Sequence, residues 1–345
     1  MTKHLICRAD ASTEIGTGHL MRCVTLAGAW RASGGEVHFV TACDSPALLE
    51  LIGQAGSVTT VREACPDPED VRITSDRVKD CPGCAVVIDG YVFDADYQRT
   101  IREAGCTLLV VDDVVHADHY YADFVLNQNL HARANKYACE PHTRFLLGPA
   151  YALLRREFLA WKSWRRQIPN RARRLLVTLG GSDPANETLK VLRALAVTHI
   201  PDLEPVIVVG AGNPHLDRLR SEAALLLPRG HIVHDAHNMA EWMAWADTAV
   251  SAGGTTCWEL AFMGLPNLIL VLSDNQRDIA RSLDETGVSR SLGDAHHVKE
   301  KRIAEGLVAL VTDHDARAAM SARGRAMVDG AGAERVVEIL QNPAA

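Results

Sequence analysis

The sequence predicts an α/β protein made of two consecutive, doubly wound domains that face each other across a cleft. Its 345 residues exceed what one ordinary hydrophobic core holds and fit two domains of common size. Short apolar runs alternate with helical patterns, stop at a basic stretch that contains a proline, and then start again. We therefore expect an N-terminal domain over 1–160 and a C-terminal domain over 171–345, whose last helix packs back on the first.

The first half contains strand-like runs such as AVVI and LLVV, which suit strands buried on both faces of a parallel sheet. Helical patterns separate these runs, and IPNRARR (168–174) is the expected linker. The predicted strands are LICRAD (5–10), EVHFVTA (36–42), CAVVIDGY (84–91), TLLVVDD (107–113), DFVLNQN (123–129) and FLLG (145–148). The predicted helices are HLMRCVTLAGAWRAS (19–33), DADYQRTIREAG (94–105) and YALLRREFLAWKSWRRQ (151–167).

The second half repeats the alternation, which predicts a second Rossmann-like domain. In such sheets ligands bind beyond the carboxyl ends of the strands, so residues at strand ends are the candidates for function. The predicted strands are RLLVTLGG (174–181), EPVIVVG (204–210), GHIVHDA (230–236), DTAVSAGG (247–254) and PNLILVL (266–272). The predicted helices are ANETLKVLRALAV (185–197), HLDRLRSEAAL (215–225), MAEWMAWA (239–246), TTCWELAFMG (255–264) and DNQRDIARSLDETG (274–287).

Composition and charge exclude several classes of protein. A formal net charge of −7 gives no basic field for nucleic acid or an anionic membrane. No apolar run approaches the roughly 18 residues of a membrane span, and the N-terminus lacks a signal-peptide pattern. Nine cysteines suit a reducing compartment, so we expect a cytoplasmic protein. Its oligomeric state is left open.

Neither a metal nor a cofactor is expected. Cys81 and Cys84 form a CxxC pair, but no second pair lies nearby to complete a zinc site. His231, His234 and His237 recur every three residues, an odd spacing that places neighbours on opposite faces of a strand. Both groups are therefore interpreted as ordinary surface or loop residues.

The first candidate motif leads from the first strand into the first helix. Gly16 and Gly18 allow close approach of a ligand, and the helix start that follows favours negative charge. Met21 replaces the third glycine of a dinucleotide fingerprint, which argues against a dehydrogenase. His19 is a candidate general base near neutral pH. The alternative is a tight turn with a histidine that faces solvent.

A second motif lies where two neighbouring strands end. Asp89 and Tyr91 follow AVVI, and Asp112 and Asp113 follow LLVV. Helix capping is the commoner fate of such aspartates, and we favour it for Asp112 and Asp113. Tyr91 is a candidate for placing a hydroxyl in the cleft, and the alternative is a tyrosine packed against its neighbours.

The third motif, SAGGTTCWE (251–259), again runs from a strand through glycines into a helix. Backbone amides and hydroxyls there form an anion-binding arrangement, but the lysine of a P-loop is missing. Glu259 near the helix start either complements the helix dipole or accepts hydrogen bonds from a ribose. A similar turn after LLVTL contains Gly180 and Gly181.

In this order the motifs resemble the UDP-sugar hydrolases of pseudaminic acid biosynthesis, over nearly the whole chain. A wider similarity is to GT-B glycosyltransferases, notably the UDP-GlcNAc transferase of peptidoglycan synthesis, which implies a GT-B-like fold. The resemblance is carried by RADAS…IGTGHLMRC, VIDGY, VVDD, LNQN, LLGPAYALLRREF, VTLGGSDPAN and SAGGTTCWELAFMGLP.

The resemblance implies a UDP-activated 2,4-diacetamido-2,4,6-trideoxy hexose as substrate, with His19 activating water and Tyr91 positioning water or substrate. Glu259 would hold the ribose, and Gln276 would face the sugar. The diphosphate would lie on Gly253, Gly254 and Thr255. The remaining residues assigned to substrate or UDP are Gly16, Gly18, Arg22, Gly180, Gly181, Ser251 and Asn275.

The implied chemistry is metal-independent attack of water on the anomeric carbon, with inversion and loss of UDP. A nucleotide diphosphate is a good leaving group, so stabilising its charge matters more than protonating it, and one base is enough. The main alternative is a GT-B glycosyltransferase that uses a UDP-sugar donor. An inactive module that binds sugar nucleotides is a third possibility.

Overall fold

The computed structural model describes residues 3–12, 15–62, 65 and 67–343. The chain divides into two compact units, one formed by Met1–Arg156 with Gly330–Ala345 and the other by Glu157–Asp329. Each unit contains one β-sheet, and all strand pairs of the described residues are parallel. The prediction of two doubly wound α/β domains is confirmed.

The first unit has a seven-stranded sheet in the order β3-β2-β1-β4-β5-β6-β7. The chain winds outward from β1 in one direction and from β4 in the other, so the topological switch point lies between these two strands. The strands are β1 (His4–Ala9), β2 (Glu36–Thr41), β3 (Ser57–Thr60), β4 (Ala85–Asp89), β5 (Thr107–Val111), β6 (Phe124–Asn127) and β7 (Arg144–Leu147).

Both faces of this sheet are buried, which explains its continuous apolar runs. Leu5 and Cys7 lie in one core with Leu26 of the first helix, whereas Ile6 and Ile88 lie in the other. The helices that follow the strands are α1 (Gly18–Ala32), α2 (Pro46–Ala55), α3 (Pro68–Asp80) and α4 (Ala95–Glu103).

The second unit repeats the winding with six strands in the order β10-β9-β8-β11-β12-β13. Its switch point lies between β8 and β11. Leu176, Ala249 and Ile269 are fully buried, and so are their neighbours in the chain, so both faces of the sheet are covered. The strands are β8 (Arg174–Thr178), β9 (Glu204–Val209), β10 (His231–His234), β11 (Thr248–Ala252), β12 (Asn267–Val271) and β13 (Arg290–Asp294).

The helices of the second unit connect these strands and close the unit. None of the described helices of the chain is both long and apolar enough to cross a membrane. α5 (Arg156–Leu159) begins at the boundary between the units. The other helices of the second unit are α6 (Glu187–Thr198), α7 (Leu216–Leu226), α8 (Met239–Trp245), α9 (Thr256–Phe262), α10 (Arg277–Glu285), α11 (Glu300–Thr312) and α12 (His314–Met327).

The last helix, α13 (Gly332–Gln341), packs in the first unit, where Val336 and Leu340 join the core beside α1. Its first residue, Gly332, lies so close to the backbone that a Cβ would be 2.3 Å from the carbonyl oxygen of Ala152. A glycine is therefore required where the chain returns to this unit.

The long helix predicted over 151–167 is wrong. Only α5, four residues long, is α-helical there, and Pro149–Tyr151 forms a 3-10 turn. The Arg166 side chain donates to the carbonyl oxygens of Met243 and Met263, near the C-termini of α8 and α9. These bonds satisfy carbonyls that a helix end leaves unpaired, and they hold the segment around Arg166 in an irregular conformation.

The sequence reading also overlooked the edge strands β3 and β13. Their sequences, SVTT and RSLGD, contain few apolar residues. An edge strand pairs on one side only and is partly exposed, so it does not need the apolar run by which we predicted the central strands.

Gly210 offers a direct test of packing in the second unit. A Cβ there would lie 2.4 Å from the carbonyl oxygen of Gly181, whereas one on Gly212 would lie 3.4 Å away. We expect Gly210→Ala to destabilise the protein by about 1–3 kcal/mol, as overpacking does, and Gly212→Ala to cost less than about 0.5 kcal/mol. Urea unfolding followed by tryptophan fluorescence checks this, and equal midpoints for the two variants would refute the close approach.

Candidate functional site

In the first unit, candidate residues gather at the switch point, beyond the carboxyl ends of β1 and β4. Between β1 and α1 the chain turns at Gly16, whose amide donates to the carbonyl of Ser12 at 2.9 Å. Gly16 has φ +75°, a conformation that favours glycine. The turn delivers His19 to the second position of α1, beside the end of β4.

Asp89 is the centre of this group. Its carboxylate is fully buried at the last position of β4, and it contacts two side chains of α1. His19 Nδ1 lies 2.6 Å from Oδ1. Arg22 donates from Nε to Oδ2 at 2.7 Å and from Nη2 to Oδ1 at 2.6 Å. This two-bond pairing fixes the rotation of the carboxylate.

The electrostatics keep Asp89 ionised. Burial acts to raise the pKa of Asp89, but the charge of Arg22 and the hydrogen bonds from Arg22 and His19 outweigh it and leave that pKa below its usual value. For Arg22, burial acts to lower the pKa, and the carboxylates of Asp89 and Asp113 together hold it well above the usual value. The group is therefore a buried, paired carboxylate and guanidinium.

The pairing also determines the tautomer of His19. A carboxylate only accepts hydrogen bonds, so Nδ1 carries the proton that lies between it and Asp89. Nη2 of Arg22 is 2.9 Å from the same nitrogen, but two donors cannot bond to each other. Nε2 is then the basic nitrogen, and it has no partner among the described residues. His19 can accept a proton there.

Tyr91 stands against His19, with the two ring centroids 4.8 Å apart in an edge-to-face arrangement. Its hydroxyl donates to Asp113 Oδ1 at 2.5 Å, and Arg22 Nη1 donates to Oδ2 of the same carboxylate at 3.1 Å. Arg22 thus connects the two aspartates that hold His19 and Tyr91. Our expectation that Asp113 caps a helix is wrong.

Asp112 does not cap a helix either, but its carboxylate caps a turn of the backbone. Its carboxylate accepts from the amides of Val114 at 2.9 Å and Val115 at 3.0 Å, and from the hydroxyl of Tyr120. Val115 has φ +59°, so this bonding stabilises a strained turn. Burial acts to lower the pKa of His116, but its bond to Asp112 and that charge raise it overall.

In the second unit, three loops follow the carboxyl ends of the neighbouring strands β8, β11 and β12. Gly180, with φ +91°, turns the chain after β8, and Gly181 accepts from the amide of Gly212 at 3.1 Å. The N-terminus of α6 is not open to an anion, because Asp183 accepts from the amides of Glu187 at 2.8 Å and Thr188 at 2.9 Å.

Gln276 ties the β11 and β12 loops together. Its side-chain oxygen accepts from the amides of Gly253 and Leu272, both at 3.0 Å. The Gly253 amide is therefore occupied by protein. The backbone amides of Gly254, Thr255 and Thr256 donate to no atom in the described part of the chain.

Glycine is not required by protein packing at several of these positions. A Cβ on Gly18, Gly181 or Gly254 would meet no atom within 4 Å, and none of the three has a left-handed φ. Open space above an ordinary backbone suits the close approach of a ligand. The remaining candidates in this unit are a fully buried Ser251, a buried Glu259 in the first turn of α9, and an exposed Asn275.

Sequence reasoning overlooked the roles of Asp89, Asp113 and Gly210. Asp89 stands at the end of a fully apolar strand, where a charge must find a buried partner, and that signal pointed to a functional position. No local signal identifies Arg22 as that partner, since 67 residues separate them. Within the described residues, His, Cys, Asp and Glu side chains form no group of three that could hold a metal ion.

Comparison with known proteins finds one matching family model, several distant relatives and solved structures of the same fold. The family model for the glycosyltransferase family 28 C-terminal domain matches residues 175–336. Uncharacterized protein MJ1062 of Methanocaldococcus jannaschii is 29% identical over 281 residues, 78% of this chain and 56% of that protein, so the match spans just over half of that relative. The spore coat polysaccharide biosynthesis protein SpsG of Bacillus subtilis is 26% identical over 341 residues, 98% of each chain.

A third relative carries a reaction in its name. The UDP-2,4-diacetamido-2,4,6-trideoxy-β-L-altropyranose hydrolase of Campylobacter jejuni is 27% identical over 236 residues, 64% of this chain and 74% of that protein. Among solved structures, MurG of Acinetobacter baumannii superposes with a TM-score of 0.68 at 16% identity, covering 99% of both chains. Anabaena HepE, solved with UDP and glucose, gives 0.65 at 12% identity over 99% and 100%. The predicted GT-B-like fold is confirmed.

Asp89→Asn tests the buried pair. Because the substitution removes the fully buried carboxylate that makes two bonds to Arg22 and leaves Arg22 only the more distant Asp113, we expect a loss of about 3–5 kcal/mol in the free energy of unfolding at neutral pH. The folded pKa of Asp89 is lowered, so its contribution is complete above the unfolded value of about 3.9 and is lost as the pH falls through the folded value.

Urea unfolding of wild type and Asp89→Asn from neutral pH downward measures this difference. It should stay constant to about pH 5 and shrink below about pH 4. Asp76→Asn, which removes an exposed carboxylate on α3, serves as the control. A difference that grows on acidification would contradict the assignment.

Proposed function

We propose that this protein hydrolyses a UDP-activated 2,4-diacetamido-2,4,6-trideoxy hexose to the free sugar and UDP, as a step of pseudaminic acid biosynthesis. The observation that carries the proposal is His19, whose Nδ1 is held by a buried carboxylate and whose Nε2 is left to accept a proton. The named reaction of the Campylobacter jejuni relative supports the choice of substrate.

In the proposed reaction, water attacks the anomeric carbon with inversion. The new bond joins the water oxygen to that carbon, and the carbon–oxygen bond to UDP breaks with its electron pair on the β-phosphate. Nε2 of His19 takes the proton from water, and Asp89 stabilises the imidazolium that forms. Tyr91, in contact with the His19 ring, helps to position the water.

The proposal assigns nucleotide binding to the second unit. The amides that follow Gly253 and the hydroxyls of Thr255 and Thr256 meet the charge that develops on the diphosphate. Glu259 accepts from the ribose hydroxyls. Gln276 holds the loops after β11 and β12 together through its side-chain oxygen, so only its amide nitrogen is left to face the sugar.

The second candidate function is a glycosyltransferase with a UDP-sugar donor. The match of residues 175–336 to a glycosyltransferase domain favours it, and so does the fold shared with MurG. In that case a hydroxyl of an acceptor takes the place of water at His19.

The decisive assay incubates the purified protein with UDP-2,4-diacetamido-2,4,6-trideoxy-β-L-altropyranose and EDTA, without any acceptor, and follows the reaction by NMR. We expect release of UDP and of the sugar, first as the inverted α anomer, at the same rate with and without EDTA. An intact substrate that turns over only when an acceptor is added would establish the transferase instead.

His19→Asn separates the base from its scaffold. The asparagine side chain can still donate to Asp89 from the position of Nδ1, but it has no atom in place of Nε2. We expect kcat to fall about 10²–10⁴-fold while UDP affinity, measured by calorimetry, stays unchanged. His237→Ala, an exposed histidine of the second unit, is the control, and full activity in His19→Asn would exclude His19 as the base.

Glu259→Ala tests the ribose assignment. Loss of two hydrogen bonds to a charged carboxylate should weaken UDP binding about 10–100-fold. Calorimetric titration with UDP measures this, with Glu305→Ala, an exposed carboxylate on α11, as the matched control. Equal affinities in the two variants would place the nucleotide elsewhere.

A further inference from the structure

We propose that His116 is a positioning residue for the reaction: as an imidazolium, it joins the loop after β4 (90–94), which contains Tyr91, to the loop after β5 (112–123). The inference rests on the proposed function and deepens it, since His116 acts on the reaction only through Tyr91. The two loops leave neighbouring parallel strands at the same end of the sheet.

The His116 ring lies between two groups that only accept hydrogen bonds. Nε2 is 3.1 Å from the carbonyl oxygen of Phe93 in the loop after β4. Nδ1 is 3.4 Å from Oδ1 of Asp112, a long contact in which the attraction is mainly that of opposite charges. A carbonyl and a carboxylate have no hydrogen to give, so only the doubly protonated ring presents a donor to each. A neutral ring would turn a lone pair toward one of them.

The surroundings of the ring favour its charged form. The His116 side chain is only 8% exposed, and its nearest charged groups are the carboxylates of Asp112 and Asp113. The rings of Tyr91 and Tyr120 lie 6.1 and 5.9 Å from it, centroid to centroid. Burial acts to lower the pKa of His116, but the contact with Asp112 and the charges of both carboxylates raise that pKa above its usual value.

Tyr91 spans the two loops that this bridge connects. Its backbone belongs to the loop after β4, whereas its hydroxyl donates to Asp113 of the loop after β5, at 2.5 Å. The bridge runs in parallel, from the carbonyl of Phe93, two residues after Tyr91, through His116 to Asp112, next to Asp113. It therefore fixes the separation of the loops, and with it the tyrosine ring that stands against the base.

His116→Gln imitates the neutral ring. The glutamine amide nitrogen can reach the carbonyl of Phe93 from the position of Nε2, but the side chain has no charge for Asp112. The experiment measures kcat for hydrolysis of UDP-2,4-diacetamido-2,4,6-trideoxy-β-L-altropyranose from about pH 6 to about pH 9. Rates are expressed per UDP-binding site counted by calorimetry, so unfolded protein does not enter. The ratio of wild-type to variant kcat cancels the pH dependence that both proteins share.

We expect this ratio to be about 3–10 at the acid end, the effect of one hydrogen bond, and to fall toward 1 as the pH rises. The sign follows from the raised pKa, because His116 is charged below it and resembles the glutamine variant above it. UDP affinity should be equal in the two proteins. A histidine with a merely structural role would change the yield of folded protein, and a ratio that does not vary with pH would overturn the inference.

His116→Asn breaks the other half of the bridge. Its amide can donate to Asp112 from the position of Nδ1 but is too short to reach Phe93, so kcat should fall about 3–10-fold at every pH. This variant is sufficient if His116→Gln fails to fold, and a wild-type kcat in it would overturn the inference. His119→Gln, which alters a partly exposed histidine of the same loop, is the control and should keep the wild-type kcat.

The protonation state of His116 gives a readout that does not depend on the reaction. ¹⁵N NMR of the ring, assigned by its loss in either variant, should show two protonated nitrogens in most molecules at about pH 6.5, since the folded pKa lies above that value. A ring that is mostly neutral there would overturn the inference and leave the hydrolase intact. A wild-type protein that releases no UDP in water alone would instead overturn the proposed function, and the inference with it.

Discussion

The carboxylate of Asp89 is fully buried at the end of a central strand, and its charge is tolerable there only because Arg22 and His19 reach it from α1. An unpaired charge at this depth would cost several kcal/mol, so the packing of α1 on β4 and the ionisation of Asp89 depend on each other. The same bonds fix the tautomer of His19 and the position of Asp113. Folding and the proposed chemistry thus depend on one set of contacts at this switch point.

A second buried arginine stabilises the same sheet at the carboxyl ends of its strands. Arg8, near the end of β1, is fully buried and donates to Asp70 of α3 at 2.9 and 2.6 Å and to Asp10 at 2.9 Å. Asp10 in turn accepts from the amide of Ala42 after β2, at 2.6 Å. The carboxyl ends of β1, β2 and β4 are therefore held by charged hydrogen bonds, whereas the middle of the sheet is held by apolar packing. Charged hydrogen bonds of this kind fix the orientation of the side chains that make them, which apolar packing alone does not.

The second unit uses neutral groups for a similar purpose. Gln276 joins two loops through one oxygen, and Asp183 closes the helix that follows β8. The amides left open by this arrangement are those after Gly253. The glycine-rich turns of the two units therefore differ in what they present: the first presents Nε2 of His19, and the second presents backbone donors.

The sequence by itself determined the two α/β halves, because strands buried on both faces must be continuously apolar and helices between them must be amphipathic. It also located the candidate site residues, because Gly16, His19, Tyr91 and Gly253 all follow predicted strands. It did not determine the polar edge strands β3 and β13 or the irregular segment after Tyr151, which depend on exposure and on a distant Arg166. Only the tertiary structure decided that Asp113 holds Tyr91 while Asp112 caps a turn, because adjacent, chemically identical side chains differ only in the partners that folding brings to them.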